Sequence, residues 1–147
     1  MIKSLHHASR IGEIGCVHND DFAPHVEKII ASDLIVLSTP IYAWGAPGPV
    51  KTFLDRLIYA PVKMYGSQKA PSLYRGRAIA LLVTGNYPPK EIVVPLEICI
   101  THLAERHELR YLGWTGGTDP GKGKQFMNEK KEQRVRTFAN EIADALR

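Results

Sequence analysis

The stretch SDLIVLSTPIYAWGAPGPVKTFLDRL, residues 32 to 57, decides the fold class of this chain. It opens with LIVLS at residues 34–38, a short apolar run that is typical of a parallel strand covered on both faces. Residues 39–49 hold three prolines and two glycines, so they must form a loop. Apolar residues then recur at spacings of three and four, which predicts an amphipathic helix with Pro47 or Pro49 in its first turn.

Similar segments lie on both sides of this stretch. The patterns predict a helix over residues 22–30, a strand over 78–83, a helical stripe over 92–103, a strand over 110–114 and a C-terminal helical stripe over 135–146. Alternation of this kind implies parallel strands joined by right-handed crossovers, which is the α/β class. The glycine-rich residues 116–123 are expected to form a loop. Residues 1–147 are expected to form one domain, with an irregular N-terminal segment over residues 1–19.

The composition argues against several classes of protein. Hydrophobic residues make up 44% of the 147 residues and charged residues 23%, which is an ordinary globular balance. No apolar run approaches the roughly 20 residues that span a membrane, and the start lacks an apolar signal segment, so we expect a cytoplasmic protein. The net charge is +4. The densest basic cluster, residues 130–136, is mixed with glutamate, which is typical of a solvated helix face and not of a nucleic-acid-binding surface.

The cysteines and histidines do not indicate a metal site. Cys99 lies within an apolar helical stripe and is expected in the core. His6 and His7 are adjacent and do not share a helix face. His102 and His107 are five residues apart, which is a poor ligand spacing on a helix. We therefore expect no bound metal.

Three loops are expected at the carboxyl ends of the strands, where open α/β sheets bind their ligands. They are residues 39–49, 84–90 and 115–124. In the first loop, Gly45 and Gly48 would let a planar ligand approach the backbone closely. Tyr42 and Trp44 would supply flat apolar surface with a polar tip, which suits an aromatic ring that carries carbonyl acceptors. The alternative is a plain strand-to-helix turn whose aromatic side chains pack on their neighbours.

Several of these segments resemble the NADPH-dependent FMN reductase family, a group of flavodoxin-like flavoproteins that includes the iron–sulfur flavoproteins. AIALLVTGNY at residues 78–87 resembles the family's next strand and flavin loop, and RYLGW at 110–114 resembles its last strand. The resemblance covers residues 14–147 and implies a flavodoxin-like, three-layer α/β/α fold with a parallel sheet. The most specific positions are Thr39, Pro40, Ile41 and Tyr42 at the strand end, then Pro47, Lys51, Phe53, Asp55 and Arg56.

The resemblance also implies an FMN site along the strand ends, with NAD(P)H as reductant and a small molecule such as a quinone or a free flavin as acceptor. Since the flavin carries the hydride chemistry, no catalytic acid or base is assigned. Asp55 and Arg56 are expected to form a structural pair that orients the loop. The implied FMN-binding residues are Thr39, Pro40, Ile41, Tyr42, Ala43, Trp44 and Gly45 of the first loop, and Thr84, Gly85, Asn86 and Tyr87 of the second.

The chain departs from the family pattern at its N-terminus. The family begins with an apolar strand and a loop that holds the FMN phosphate on backbone amides. The first residues here show no match, so the chain resembles an N-terminally shortened member with weak or conditional FMN binding. A neighbouring subunit, or Lys63, Lys69 or Arg75, could replace the phosphate contacts. Cys16 resembles the end of the iron–sulfur branch's cysteine cluster but lacks the partner cysteines, so no cluster is expected.

Such shortening would bare one edge of the strand at residues 34–38, and a bare apolar edge favours pairing with another chain. We therefore expect a homodimer or a larger assembly, in which the N-terminal segment could cover this edge. Two functional hypotheses follow. The first is an FMN-dependent NAD(P)H oxidoreductase of the flavin or quinone reductase type. The alternative is a flavodoxin-like module that binds no flavin and associates with itself or with a partner.

Overall fold

A parallel sheet of three strands lies at the centre of the computed structural model, which describes residues 20–58 and 71–147. The strands are β1 (Leu34–Pro40), β2 (Ala78–Gly85) and β3 (Arg110–Thr118), in the spatial order β1–β2–β3. The helices are α1 (Phe22–Ile30), α2 (Gly48–Leu57), α3 (Pro89–Ile92), α4 (Val94–Arg106) and α5 (Glu129–Ala145). The predicted alternation and the α/β class are confirmed.

The strand register brings the three carboxyl ends together. Pro40 lies opposite Thr84, and Gly85 lies opposite Thr118. β3 carries an extra residue near its start, where its register with β2 shifts. Gly113 has a φ of +90° in this bulge, a conformation that glycine adopts at no steric cost. The loops that follow β1, β2 and β3 therefore leave the sheet at one edge.

All three strands continue beyond their predicted ends, so the predicted loop over residues 116–123 is confirmed only from Asp119 onward. β3 runs through Thr118, and Thr39, Pro40, Thr84 and Gly85 lie in strands. Gly116 is required within β3, because a Cβ at that position would lie 2.3 Å from the carbonyl oxygen of Val83. A glycine that signals a turn in sequence here permits a close approach of two paired backbones.

The main hydrophobic core lies on one face of the sheet. The side chains of Ile79, Leu81 and Val83 are almost completely buried on this face. Three helices cover them, and their buried residues are Phe22 and Val26 of α1, Leu54 and Leu57 of α2, and Leu96, Ile100 and Leu103 of α4. α5 packs on the opposite face, where Val135 borders a cavity shared with Leu82 and Thr84. The three-layer α/β/α arrangement of a flavodoxin-like fold is confirmed.

Two expectations about burial were wrong. Cys99 is exposed, because α4 buries only the narrow arc through Leu96, Ile100 and Leu103. Val36 of β1 is 50% exposed, so the described residues do not cover both faces of this strand. The predicted stripe over 92–103 is also interrupted at Val93, because Pro95 has no N–H to continue one helix from α3 into α4.

Asp55 and Arg56 have structural roles, but they do not act as a pair. The guanidinium group of Arg56 donates two hydrogen bonds of 2.9 Å to the carboxylate of Asp20 and lies 4.0 Å from the centre of the Phe22 ring. Asp55 instead pairs with Lys51 one turn earlier. Arg56 thus fixes α2 to the start of α1, where Asp20 accepts a hydrogen bond from the Phe22 N–H at 3.1 Å.

Some positions named from the sequence lie outside the described residues. They are the segment 1–19, which includes His6, His7 and Cys16, together with Lys63 and Lys69. Of the helices that the structure describes, none is both long and apolar enough to cross a membrane.

Candidate functional site

The first wall of the site is a tight turn directly after β1. Ile41 continues the sheet by donating a 2.8 Å hydrogen bond to the Thr84 carbonyl. Tyr42 and Gly45 then exchange two backbone hydrogen bonds of 3.0 Å, which closes a two-residue turn. Ala43 and Trp44 at its tip have φ values of +48° and +61°. Each non-glycine residue held at positive φ costs of order 1–3 kcal/mol, and such strain concentrates at ligand sites.

The turn presents polar and aromatic groups to the solvent. The side chains of Tyr42 and Trp44 are 66% and 58% exposed, which is unusual for rings of this size. The N–H groups of Tyr42 and Gly45 are used within the turn, whereas those of Ala43 and Trp44 form no hydrogen bond with the described part of the chain. The turn therefore carries two free backbone N–H donors, those of Ala43 and Trp44, next to the exposed rings of Tyr42 and Trp44.

The second wall follows β2 and consists of Asn86 and Tyr87. Gly85 sets its position, because a Cβ there would lie 2.4 Å from Cδ1 of Ile92. The loop is fixed to the end of β3 by the N–H of Asp119, which donates to the Gly85 carbonyl at 2.7 Å. Tyr87 remains 61% exposed, so a third aromatic ring faces the solvent at this edge of the sheet.

The two walls enclose a cavity of about 180 Å³, which we call the aromatic cleft. Six of the eleven predicted site residues line it together with Ile92, which the sequence analysis assigned only to a helical stripe. The lining residues are Ile41, Tyr42, Ala43, Trp44, Asn86, Tyr87 and Ile92. An apolar floor, aromatic walls and free backbone donors fit a planar ring with carbonyl acceptors, which is the character of a flavin ring.

The other five predicted site residues support the cleft but do not line it. Thr39 is buried, and its hydroxyl donates to the Pro40 carbonyl at 2.9 Å. Pro40 and Thr84 face each other within the sheet, and Thr84 borders the cavity beneath α5. Gly45 closes the turn, while Gly85 is a buried strand residue.

Arg75 cannot replace a phosphate-binding loop at this site. Its Nε lies 2.9 Å from a carboxylate oxygen of Glu108. It borders a depression with Asp33, Arg77 and Arg110, which precede or begin the three strands. Arg75 is therefore at the amino end of the sheet, and its proposed phosphate role was wrong. Nor do the described residues bring three or more histidine, cysteine, aspartate or glutamate side chains together as a metal site.

The fold defines an α/β protein of the flavodoxin-like class, with the aromatic cleft at the carboxyl ends of β1 and β2. The chain belongs to the NADPH-dependent FMN reductase family, whose family model matches residues 3–93. FMN is the cofactor of this family, and NAD(P)H is its reductant. The resemblance that the sequence analysis drew is thereby confirmed.

Individual relatives agree with this assignment. An iron–sulfur flavoprotein of Methanocaldococcus jannaschii is 35% identical over 75 residues, which are 49% of this chain and 34% of that protein. The matched part of the chain thus spans about a third of this relative. The general stress protein 14 of Treponema denticola, solved with FMN, superposes with a TM-score of 0.60 at 21% identity, over 88% of this chain and 75% of that one.

A further solved structure supports the same fold. An NADPH-quinone reductase of P. pentosaceus superposes with a TM-score of 0.61 at 13% identity, over 92% of this chain and 84% of that one. At such identities the similarity concerns the fold. The comparisons give no support to the alternative hypothesis of a module that binds no flavin.

Proposed function

We propose that this chain is an FMN-dependent NAD(P)H oxidoreductase that reduces a small-molecule acceptor of the flavin or quinone type. The observation that carries the proposal is the aromatic cleft, which lies at the carboxyl ends of β1 and β2 in a member of an FMN reductase family. When bound, FMN supplies the hydride and electron transfer, so the protein has to bind and orient it.

Each lining residue has a defined part in this proposal. The rings of Tyr42, Trp44 and Tyr87 would contact the flavin ring, and the free N–H groups of Ala43 and Trp44 would donate to its carbonyl edge. Ile41 and Ile92 are 5% exposed and form an apolar floor that keeps water from the inner side of the ring. No side chain is assigned as an acid or base, and NAD(P)H and the acceptor would approach from the open side.

We expect Tyr42→Ala and Trp44→Ala each to weaken FMN binding by about tenfold, because each removes a ring contact of roughly 1.4 kcal/mol. Binding is measured by quenching of flavin fluorescence on titration of the purified chain. Since both side chains are mostly exposed, thermal stability should change little. Riboflavin titrated in parallel tests the sequence-based prediction that the phosphate adds little, in which case its Kd would be close to that of FMN.

Ile98→Ala is the matched control, because Ile98 is also a large exposed apolar residue, with 54% exposure, and lies on α4 outside the cleft. Its FMN affinity should equal that of the unmodified chain. A chain that leaves flavin fluorescence unchanged at high micromolar concentrations would refute the proposed function.

We also propose that the chain forms a homodimer through β1. Within the described residues, β1 pairs with β2 on one side only, and Val36 is 50% exposed. An apolar strand with an open edge is a template for pairing, and a charge on such an edge opposes it. We expect light scattering to report a dimer for the unmodified chain and a shift toward monomer for Val36→Lys. Ile98→Lys should leave the dimer intact, and a monomeric unmodified chain would contradict the proposal.

A further inference from the structure

A second and larger cavity lies beside the aromatic cleft, along the outer edge of β3. It has a volume of about 780 Å³ and is bounded by the segment 88–90, by β3 and by one face of α5. We call it the basic cleft. Its charged and aromatic lining residues are Lys90, Trp114, Lys130, Arg134, Phe138 and Glu141.

The charges of the basic cleft are unbalanced. Lys90 approaches from the short helix α3, and Lys130 and Arg134 approach from successive turns of α5, against the single carboxylate of Glu141. None of these cations forms an ion pair with a described residue. By contrast, Arg136 on another face of α5 is paired with Glu132 at 2.7 Å. Three unpaired cations around one cavity favour an anionic ligand.

A buried hydroxyl independently indicates a polar ligand. Thr115 lines the basic cleft and is only 4% exposed, yet its Oγ1 has no hydrogen-bond partner. Buried hydroxyl groups in proteins are nearly always satisfied, and one left without a partner costs free energy. A polar group bound in the cleft would supply the missing partner.

The aromatic wall of the basic cleft is held in place. The indole N–H of Trp114 donates to one carboxylate oxygen of Glu97 at 3.2 Å, and the Tyr111 hydroxyl donates to the other at 3.1 Å. Phe138 adds a second ring from α5. Fixed rings together with unpaired cations and hydroxyl groups match an aromatic base that carries phosphate groups.

The basic cleft is also linked to the aromatic cleft. Pro88 and Lys90 follow directly after Asn86 and Tyr87, and the Thr118 hydroxyl lies 3.5 Å from the Tyr87 carbonyl oxygen. If the nicotinamide half of NADPH reaches a flavin in the aromatic cleft, its adenosine half needs a second binding site nearby. We propose that the basic cleft binds the phosphate-bearing adenosine half of the reductant NADPH, an inference that rests on the proposed function.

The test measures binding by calorimetry on the full purified chain, with NADPH and 2′,5′-ADP as probes. We expect the double variant Lys130→Gln/Arg134→Gln to bind both probes more weakly by about tenfold or more, because charge-assisted contacts are lost. Arg136→Gln is the matched control on the same helix and should bind both probes normally. FMN titration of each variant should give the unmodified affinity, since neither residue lines the aromatic cleft.

Thr115→Val separates a ligand contact from a structural role. The substitution keeps the shape and removes a hydroxyl without a partner, so the free protein should melt at the same or a higher temperature. Binding of 2′,5′-ADP should nevertheless weaken by about fivefold, as expected for the loss of one hydrogen bond. A variant that is destabilised and binds normally would contradict the assignment.

The remaining outcomes are also decisive. If the double variant binds NADPH and 2′,5′-ADP as tightly as the unmodified chain, or if neither probe binds the unmodified chain, the inference is overturned. If the double variant binds 2′,5′-ADP more weakly but binds NADPH normally, the basic cleft binds a free nucleotide and the assignment to the reductant is wrong. If FMN fails to bind while both probes follow the expected pattern, the proposed function fails and the nucleotide site stands.

Discussion

Replacing Gly116 with alanine is expected to lower the free energy of unfolding by about 3 kcal/mol, the upper part of the range for overpacked positions. The added Cβ would lie 2.3 Å from the carbonyl oxygen of Val83, 2.6 Å from its Cγ2 and 3.1 Å from its carbonyl carbon. Val83 is the partner of Gly116 in the sheet, so the clash is with paired backbone and cannot be relieved by a rotamer change alone. Denaturant titration followed by circular dichroism measures the effect.

Gly48→Ala is the control for this prediction. Gly48 begins α2, and a Cβ there would meet no atom within 4 Å, so the stability should change by no more than about 0.5 kcal/mol. Equal unfolding midpoints for Gly116→Ala and the unmodified chain would show that the two strands do not approach so closely. FMN binding should fall with Gly116→Ala, because β3 carries Thr118 to its contact with Tyr87.

Acid is expected to destabilise the protein through His107. This side chain is completely buried at the end of α4, packs against Tyr74 and has no hydrogen-bond partner for either ring nitrogen. Burial, with a smaller contribution from Arg106, lowers the pKa of His107 from 6.5 to about 4. The unfolded chain therefore binds the proton more readily than the folded one, and stability is lost as the pH falls from about 6.5 toward 4. The full loss is about 3 kcal/mol.

His107→Leu should remove this part of the pH dependence. The substitution places an apolar group in a buried site, so the variant should be at least as stable as the unmodified chain at pH 8. His102→Leu is the control, since the His102 side chain is 76% exposed and lies beside Glu105. The measurement is the denaturation midpoint of the unmodified chain and of both variants at several pH values between about 4 and 8. An unchanged acid slope in His107→Leu would show that other groups cause the loss of stability.

These two predictions concern positions that sequence patterns describe poorly. The glycine-rich segment predicts a loop at Gly116, and the sequence spacing of His107 bears only on metal ligation. Whether a strand requires glycine, or a core buries a histidine, depends on the residues that contact that position in the folded protein. Val83 and Tyr74 are those neighbours, and each is more than 30 residues away in the chain.

The aromatic cleft shows how much of a binding site the local sequence can predict. TPIYAWG follows an apolar run and contains the aromatic residues and glycine of a ligand loop, so most of the first wall could be predicted. The resemblance to a flavoprotein family also indicated the second wall. It could not indicate Ile92, because a residue of an amphipathic stripe has the same signature whether it forms a core or the floor of a cleft. Nor could it show that Thr39 and Gly85 lie behind the lining.

The basic cleft shows what only the tertiary structure decided. By itself, the sequence determined the alternation of helices and strands, the parallel sheet and the end at which its loops meet, because hydrophobic periodicity and chain connectivity are local properties. It grouped residues 130–136 as one solvated face. Packing of α5 against β3 divides that group: Arg136 pairs with Glu132, while Lys130 and Arg134 meet Lys90 across a cavity. Charges forty residues apart form a site only when the fold brings them together.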